Sequence, residues 1–355
     1  MQENGKMLRS EKTTICCRLS QGTIIMLGLL IVSATMTWAD KGKVSGYFFG
    51  DFYHMLFSHN KDLEGRNGFQ YRRIYFQYDR KIKENDDSPN NLAVRLRFEM
   101  NGDSLPEKGD KIKPYVKNGY LRWKNSDWNT DVLVGLSGTP ALANTEKLWG
   151  YRVLSKTPED LHKFVSSTDF GIAIKGSLAD KLINYHVMLA NGSGTKAEAD
   201  SDKKAYFALA LKPVDGLLIE CYADAETGDE LDLLWHGLIG YQNDLFKGGV
   251  LFSMEAGENE RKMASVFGSA KLLDNLKVIG RFDKNLDPNP KGEGISYTPY
   301  SKEASVNNVV FGLDWSPAKD VYILPNVFAS FYDEPEKGKK PDLDLQPRLT
   351  LYYKF

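Results

Sequence analysis

Four arginines fall on the polar faces of three consecutive candidate strands. They are Arg73 in segment 68–82, Arg95 and Arg97 in segment 91–102, and Arg122 in segment 113–125. A row of guanidinium groups on one wall would attract anions and could hold a carboxylate or phosphate through paired hydrogen bonds. The same arginines could instead pair with Glu99 and with other acidic residues, which would stiffen the wall. The pattern leaves a solute-selecting surface and a structural ion-pair network both open.

Sequence motifs of common enzyme and metal sites are absent. The chain has no G-x-S-x-G elbow, no H-E-x-x-H, no G-x-x-x-x-G-K and no C-x-x-C. Its five histidines do not have metal-ligand spacing. We therefore predict a protein that is not an enzyme and that needs no cofactor or metal. An enzyme built from dispersed Ser, His and Asp residues stays open as an alternative.

The arginines lie on segments in which apolar and polar residues alternate. In Leu92–Asn101, for example, alternate residues are apolar and the intervening ones are mostly charged, as in a strand with one apolar and one wet face. Such segments recur along the chain, separated by clusters of Gly, Pro, Asn and Asp. Sixteen candidates can be placed, at 43–57, 68–82, 91–102, 113–125, 130–138, 168–178, 181–191, 203–212, 216–225, 229–242, 247–256, 261–272, 275–284, 304–316, 319–333 and 345–355.

An even number of strands fits a closed antiparallel barrel with both termini at one end. If the termini lie in the periplasm, the connections after odd-numbered strands face outward and are mostly long. Several of the others are short turns, which is the pattern of transmembrane β-barrels. We therefore predict an all-β protein whose residues 40–355 form a closed antiparallel transmembrane β-barrel of about 16 strands, with short periplasmic turns and longer extracellular loops.

The longest connection, residues 139–167, follows the fifth strand and is rich in charged and aromatic residues. Connections of about 30 residues are usually functional or disordered, and aromatic side chains can anchor one to a wall. We expect this third outward loop to fold into the lumen and set a constriction; an extracellular flap is the alternative. Lys147 and Arg152 in the loop, and Arg281 on segment 275–284, join Arg73, Arg95, Arg97, Glu99 and Arg122 as predicted pore-lining, solute-selecting residues.

The last strand has the same alternation. Leu349, Leu351, Tyr353 and Phe355 share one face, and Arg348, Thr350, Tyr352 and Lys354 share the other. We expect the first set to face outer-membrane lipid and the second to face the lumen. A terminal Phe after such a strand is typical of outer-membrane barrels, so we expect Phe355 to engage the barrel-assembly machinery. An edge strand of a soluble β-sandwich is the alternative.

Bulk composition excludes several classes of protein. The mean hydropathy of −0.41 is too low for a bundle of membrane-spanning helices. Forty-six basic residues against 47 acidic ones exclude a globally basic nucleic-acid binder. Cys16 and Cys17 lie in a segment that we expect to be removed, which leaves Cys221 alone and gives no internal disulfide.

The first 39 residues have the organisation of a secretory signal peptide. Lys6, Arg9, Lys12 and Arg18 form a basic region, and the apolar run 23–32 follows it. Thr37 and Ala39 supply small residues at a cleavage site near Ala39. We therefore expect export and residence in the outer membrane of a Gram-negative bacterium.

Short motifs resemble a known family. Gly68–Arg73 (GFQYRR) is similar to the opening of strand two in the phosphate-selective porins O and P, and 169–176 with 184–192 resembles their central hairpin. Segments 279–283 and 311–317 resemble the closing region of Gram-negative porins more broadly. The resemblance implies a sixteen-stranded, commonly trimeric channel with a constricting third loop. Only Arg73 aligns with the residues on which phosphate selectivity depends, so phosphate itself does not carry over.

These patterns favour a passive diffusion channel for small hydrophilic solutes or inorganic anions, selected by a narrow, charge-lined constriction. The expected partners are those solutes, outer-membrane lipid and two further copies of the chain in a homotrimer, with no nucleic acid. A barrel enzyme and a secreted β-sandwich that binds glycans are the alternatives.

Overall fold

The computed structural model describes residues 42–83, 90–101, 113–228, 231–257, 260–295 and 297–355. Within these ranges the chain forms sixteen β-strands, and strands and predicted segments agree within a few residues. They are β1 Lys43–His54, β2 Asn67–Lys83, β3 Asn90–Asn101, β4 Pro114–Asn125, β5 Thr130–Gly138, β6 Thr168–Leu178, β7 Ile183–Ala190, β8 Lys204–Leu211, β9 Leu217–Glu226, β10 Asp232–Gln242, β11 Phe246–Ala256, β12 Arg261–Leu273, β13 Leu276–Asn285, β14 Val306–Ala318, β15 Val321–Tyr332 and β16 Asp344–Lys354. The predicted signal peptide, 1–39, lies outside the described residues.

The strands form one closed antiparallel barrel. Each strand pairs with its neighbours in sequence, and β1 pairs with β16 to close the sheet. In this closing pair Phe49 lies opposite Tyr352 and Asp51 opposite Thr350. Because the sheet has no free edge, every strand pairs on both sides, as a strand surrounded by lipid requires. The predicted fold class is confirmed, and the alternative of a two-sheet sandwich is not observed.

Connections at the two ends of the barrel differ in length. At the end that carries the start of β1 and the end of β16, the turns 243–245, 274–275 and 319–320 are two or three residues long. We call this the terminal end. The opposite end, the loop end, carries the longer segments 139–167, 191–203, 286–305 and 333–343. This asymmetry confirms the predicted rhythm of short turns and long loops.

Apolar side chains cover the outside of the barrel. On β16, Leu349 and Leu351 are exposed on the outer face, whereas Arg348 and Thr350 are buried inside. Cys221 on β9 is also exposed. Strict alternation along segment 68–82 predicts Tyr71 on the same inward face as Arg73, but this is wrong, because Tyr71 is 57% exposed on the outer face. A β-bulge opposite Phe49 and Gly50 shifts the alternation of β2 at this point.

Helices are few and short. A 3-10 turn, Pro140–Leu142, precedes helix α1, Ala143–Trp149, and helix α2 covers Pro158–Leu161. A second 3-10 turn spans Gly292–Gly294. None of the helices in the described ranges has the length and apolar character needed to cross a bilayer.

The hydrophobic core lies inside the barrel, between one half of the wall and residues 139–167. Leu148, Trp149, Leu154, Leu161 and Phe164 of this segment are all buried. They join a cluster formed by inward-facing residues of β9 to β15, including Leu218, Leu238, Leu251, Met263, Ile279, Val310 and Phe328. Burying each large apolar side chain contributes about 1.5–3 kcal/mol. The segment is therefore held inside by an apolar interface, as predicted, and we call it the lumen loop.

Candidate functional site

The lumen loop follows the inner wall from β7 to β16, and inward-facing residues near the terminal end of β15, β16 and β1 to β6 remain partly exposed. Its 3-10 turn lies against β7, β8 and β9, and α1 lies against β10, β11 and β12. Helix α1 ends at Gly150, whose φ of 68° is in the left-handed region that favours glycine, and this residue redirects the chain. Farther along, Arg348 Nη2 of β16 donates to the carbonyl of Leu154 at 3.1 Å. The partly exposed part of the wall therefore lies toward the terminal end of β15, β16 and β1 to β6, and we call it the uncovered wall.

A buried ionic cluster holds the return of the loop. His162 Nε2 lies 3.0 Å from Asp283 Oδ2 on β13, and its Nδ1 lies 2.7 Å from the hydroxyl of Tyr300. Arg281 donates through Nε to Asp283 at 2.9 Å, and it also donates to the loop carbonyl of Lys156. Burial lowers the pKa of His162 below its usual value, although Asp283 acts in the opposite direction. These contacts fix the loop to β13.

Three further contacts fix the loop to other strands. Glu159 Oε1 lies 2.9 Å from His236 Nδ1 on β10 and accepts a hydrogen bond from Ser253 on β11 at 2.8 Å. Tyr151 donates to Asp314 on β14 at 3.1 Å. These partners all point inward from the wall, beside apolar residues such as Leu234, Leu251 and Val310. These polar contacts therefore fix which loop residue lies against which strand, next to the apolar contacts that hold the loop inside.

The surface of the loop that faces the open lumen is charged. Arg152 Nη1 lies 2.6 Å from Glu146 Oε1, and its Nη2 lies 2.8 Å from Asp160 Oδ2. Burial disfavours ionisation of Asp160, but Arg152 and the neighbouring cations outweigh it and lower its pKa to about 2. Lys147 is exposed on α1 and forms no ion pair in the described part of the chain. Arg152 is thus neutralised by its two carboxylates, whereas Lys147 is not.

The uncovered wall carries the predicted arginines together with partners. Arg73 Nε lies 2.7 Å from Glu99, and Arg95 Nε lies 2.7 Å from Asp79. Arg122 lies 3.8 Å from Asp131 on β5. Arg97 donates through Nε to the side-chain oxygen of Gln77 at 2.7 Å. The structure therefore brings the four arginines onto one wall, as expected, and pairs three of them with carboxylates.

At two β-bulges a cationic residue faces inward, although strict alternation along its strand predicts the outer face. At the bulge in β2, Arg72 and Arg73 are both buried inside the barrel, and Arg72 lies 2.8 Å from Asp51. At a second bulge, opposite Arg97 and Phe98, Lys117 and Asn118 of β4 are both buried. Lys117 Nζ donates to Ser167 of the lumen loop at 2.7 Å. No period-two pattern identifies Arg72 or Lys117 as inward-facing residues.

The predicted pore-lining residues differ in their access to the lumen. Arg95, Arg97, Arg122 and Arg152 are partly exposed, and Lys147 is exposed. Arg73 and Glu99 are buried against each other. Arg281 faces inward, but the lumen loop covers it and it is buried. The expectation that Arg281 lines the pore is therefore corrected. The accessible wall, β1 to β6, carries more cations than carboxylates: Arg95, Arg97, Arg122 and Lys175 against Asp79 and Asp131.

Metal coordination does not explain these side chains. Among the residues that the structure describes, no group of three or more His, Cys, Asp or Glu side chains could hold a metal ion. The geometry instead places charged side chains both on the lumen loop and on the facing wall.

Comparison with known proteins places this architecture. No protein-family model and no curated protein matches the sequence. OmpF of Salmonella typhi, solved with daunomycin, has a TM-score of 0.67 at 10% identity, covering 89% of this chain and 98% of its own. The fold is that of the outer-membrane porins.

Two more solved structures extend the likeness. The anion-selective porin from Comamonas acidovorans has a TM-score of 0.63 at 11% identity, covering 89% of this chain and 99% of its own. A Rhodopseudomonas blastica porin variant has a TM-score of 0.56 at 12% identity, covering 89% and 100%. These porins support the broader part of the family resemblance. Membership of the phosphate-selective porins stays a prediction.

Proposed function

We propose that this chain is a passive diffusion channel in the outer membrane of a Gram-negative bacterium, admits small hydrophilic solutes and prefers anions. The observation that carries the proposal is the lumen loop packed inside a closed barrel, opposite a wall with an excess of accessible cations. A permeating ion must pass between these two surfaces, where a fixed charge acts at short range. The likeness to porins, one of them named as anion-selective, supports the same function.

The proposal is for a channel without chemistry. In this function the charged groups attract or repel a passing solute, and none has to transfer a proton or attack a bond. Ion pairs such as Arg95–Asp79 hold side chains against the wall and leave the lumen open. A barrel enzyme is the competing function, and it predicts a closed or silent barrel with a reactive cluster at one rim.

Several expectations from the sequence belong to this proposal. Residues 1–39 are removed near Ala39 during export, and the mature barrel contacts lipid through its apolar outer face. The terminal end faces the periplasm, and Phe355 is recognised during barrel assembly. Three copies form the working unit. Inorganic anions are expected solutes, and a preference for phosphate among them is the narrowest form of the proposal.

Removal of Arg95 and Arg97 tests the anion preference. The double variant R95A/R97A loses two accessible cations and leaves the carboxylate of Asp79 without its arginine. At ~5 Å in water one charge contributes roughly 0.8 kcal/mol to the energy of a passing ion. Because a cationic side chain attracts an anion and repels a cation, we expect the anion-to-cation permeability ratio to fall by about tenfold or more at low salt, and by less at high salt, where charges are screened.

The measurement is the reversal potential across a planar bilayer in a KCl gradient. K339A/K340A is the matched control, because it removes two exposed cations from the outer segment 333–343 and leaves the wall intact. We expect the control to retain the reversal potential of the unmodified protein. If R95A/R97A retains it as well, the arginines act as structural pairs and the anion preference has another source.

A further inference from the structure

A band of tyrosine rings crosses the uncovered wall on four adjacent strands. It consists of Tyr322 on β15, Tyr352 on β16, Tyr47 on β1 and Tyr75 on β2, and we call it the tyrosine band. Neighbouring ring centres lie 5.3 Å apart for Tyr322 and Tyr352, 5.6 Å for Tyr352 and Tyr47, and 4.6 Å for Tyr47 and Tyr75. All four residues point inward; Tyr75 is buried, and Tyr47, Tyr322 and Tyr352 are partly exposed.

The hydroxyl groups of three band residues differ from those of four other inward-facing tyrosines. Tyr206, Tyr222, Tyr332 and Tyr151 each donate to a carboxylate, as buried tyrosines usually do. In the part of the chain that the structure describes, the hydroxyls of Tyr47, Tyr75 and Tyr352 have no hydrogen-bond partner. Tyr47, Tyr322 and Tyr352 are also only partly buried. Tyr47 and Tyr352 therefore offer part of their ring surface and a free hydroxyl group each to the lumen.

Arg97 lies at one end of the band and forms no ion pair among the described residues. Its Cζ is 5.0 Å from the ring centre of Tyr75, and its side-chain hydrogen bonds go to the neutral amide of Gln77. Arg73, Arg95, Arg122 and Arg152 each have a carboxylate within 4 Å. No carboxylate lies at ion-pair distance from Arg97 among the described residues. This guanidinium can therefore bind the carboxylate of a solute by donating hydrogen bonds to it.

We propose that Arg97 and the tyrosine band form a binding site in the channel for sugar acids of hexuronate size. The inference rests on the proposed channel function and names a substrate class for it. The apolar face of a pyranose ring packs on a tyrosine ring, and its hydroxyl groups exchange hydrogen bonds with the free tyrosine hydroxyls. The carboxylate accepts charge-assisted hydrogen bonds from Arg97. A small inorganic anion can bind Arg97 but has no ring to pack on the tyrosines. A neutral sugar can pack on the tyrosines but has no carboxylate for Arg97.

Block of ion current by solutes tests the site. Sodium D-glucuronate, D-glucose and sodium acetate are added to single channels in planar bilayers, and the concentration that halves the current is measured. We expect the half-blocking concentration of glucose to exceed that of glucuronate by about tenfold or more, because glucose lacks the charged hydrogen bond. Acetate, which lacks the ring, is expected to require several times more than glucuronate, by about two- to tenfold.

Two double variants separate ring contact from the other effects. In Y47L/Y352L the ring faces are lost without a change of charge, so the half-blocking concentration of glucuronate should rise about two- to tenfold. The reversal potential in KCl should not change. Y47F/Y352F retains both rings but loses both hydroxyl groups, so its half-blocking concentration should lie between those of the unmodified channel and Y47L/Y352L.

Each other result overturns the inference. Equal block by glucuronate and acetate would show that the rings are not used, and equal block by glucuronate and glucose would show that Arg97 is not used. Unchanged block of Y47L/Y352L would place the site elsewhere. A silent bilayer would contradict the proposed channel itself. In that case, calorimetric titration of the folded protein in detergent with glucuronate tests the site alone, and the absence of saturable binding would refute it.

Discussion

Asp283 is the residue whose loss should release the lumen loop most directly. It lies between Arg281 on its own strand and His162 on the loop, and all three side chains are fully or almost fully buried. In D283A the docked loop would cover an unpaired guanidinium. When the loop undocks, water reaches Arg281 and relieves that penalty. The cost therefore appears in the docking equilibrium of the loop rather than in the pairing of the strands.

The magnitude follows from the burial of the pair. Removing one partner of a buried ion pair costs about 3–5 kcal/mol. Since about 1.4 kcal/mol corresponds to a factor of ten, the undocked fraction should rise by roughly 100- to 3000-fold. D283N keeps the size of the side chain and one acceptor oxygen, so we expect an effect between those of D283A and the unmodified protein.

Amide hydrogen exchange of the loop measures this equilibrium. The amides of Leu161, His162 and Phe164 donate to the carbonyls of Thr157, Pro158 and Glu159 at 2.8–2.9 Å and exchange when the loop opens. Their protection should fall in D283A by the same factor as the undocked fraction rises. D274A, which removes an exposed aspartate from a turn at the terminal end, is the control and should leave protection unchanged. A fall of less than about threefold in folded D283A would refute the reasoning.

Two further predictions concern buried charges. Because Arg72 is paired with Asp51 at full burial, R72A should lower the free energy of unfolding in urea by about 3–5 kcal/mol, and a loss below about 1 kcal/mol would contradict a structural role for this pair. Burial holds the pKa of His162 below its ordinary value of 6.5, helped by two neighbouring arginines and opposed by Asp283, so an undocked loop takes up a proton more readily than a docked one. Loop docking should therefore weaken as the pH falls below about 6.5, and His162 should not affect it at higher pH. Exchange protection of the loop amides, corrected for intrinsic rates, should be lower at pH 5 than at pH 7.5. Equal protection at the two pH values would show that His162 does not titrate on undocking.

The sequence predicts the barrel well because the alternation of a strand between lipid and lumen is a local property. The apolar Leu349 lies on the outer face and the charged Arg348 on the inner face, as their residue types predict, and the same holds along most of the sixteen strands. Bulges break this rule. Arg72 and Lys117 face inward because one extra residue shifts the alternation, and no residue type marks that shift.

Strands with apolar residues on both faces are a sequence signal for the course of the lumen loop. Strands around a water-filled lumen have polar inner faces, but β11 carries Val250 outside and Leu251 inside, and β13 carries Ile279 inside. Apolar residues on both faces indicate that something apolar covers the inner one. Which residues of the loop meet which strand could not be predicted. Contacts such as His162–Asp283 and Glu159–His236 join residues far apart in sequence, and they depend on the closed sheet.

Single-channel recording of the unmodified protein tests the central claim most directly. If the lumen loop narrows the barrel without sealing it, purified protein added to a planar bilayer in symmetric KCl should produce discrete, ohmic conductance steps. In a KCl gradient the same channels should show a reversal potential displaced toward that of chloride. A bilayer that stays silent at micromolar protein would contradict the channel, and a reversal potential displaced toward potassium would contradict the cationic wall as the selecting surface.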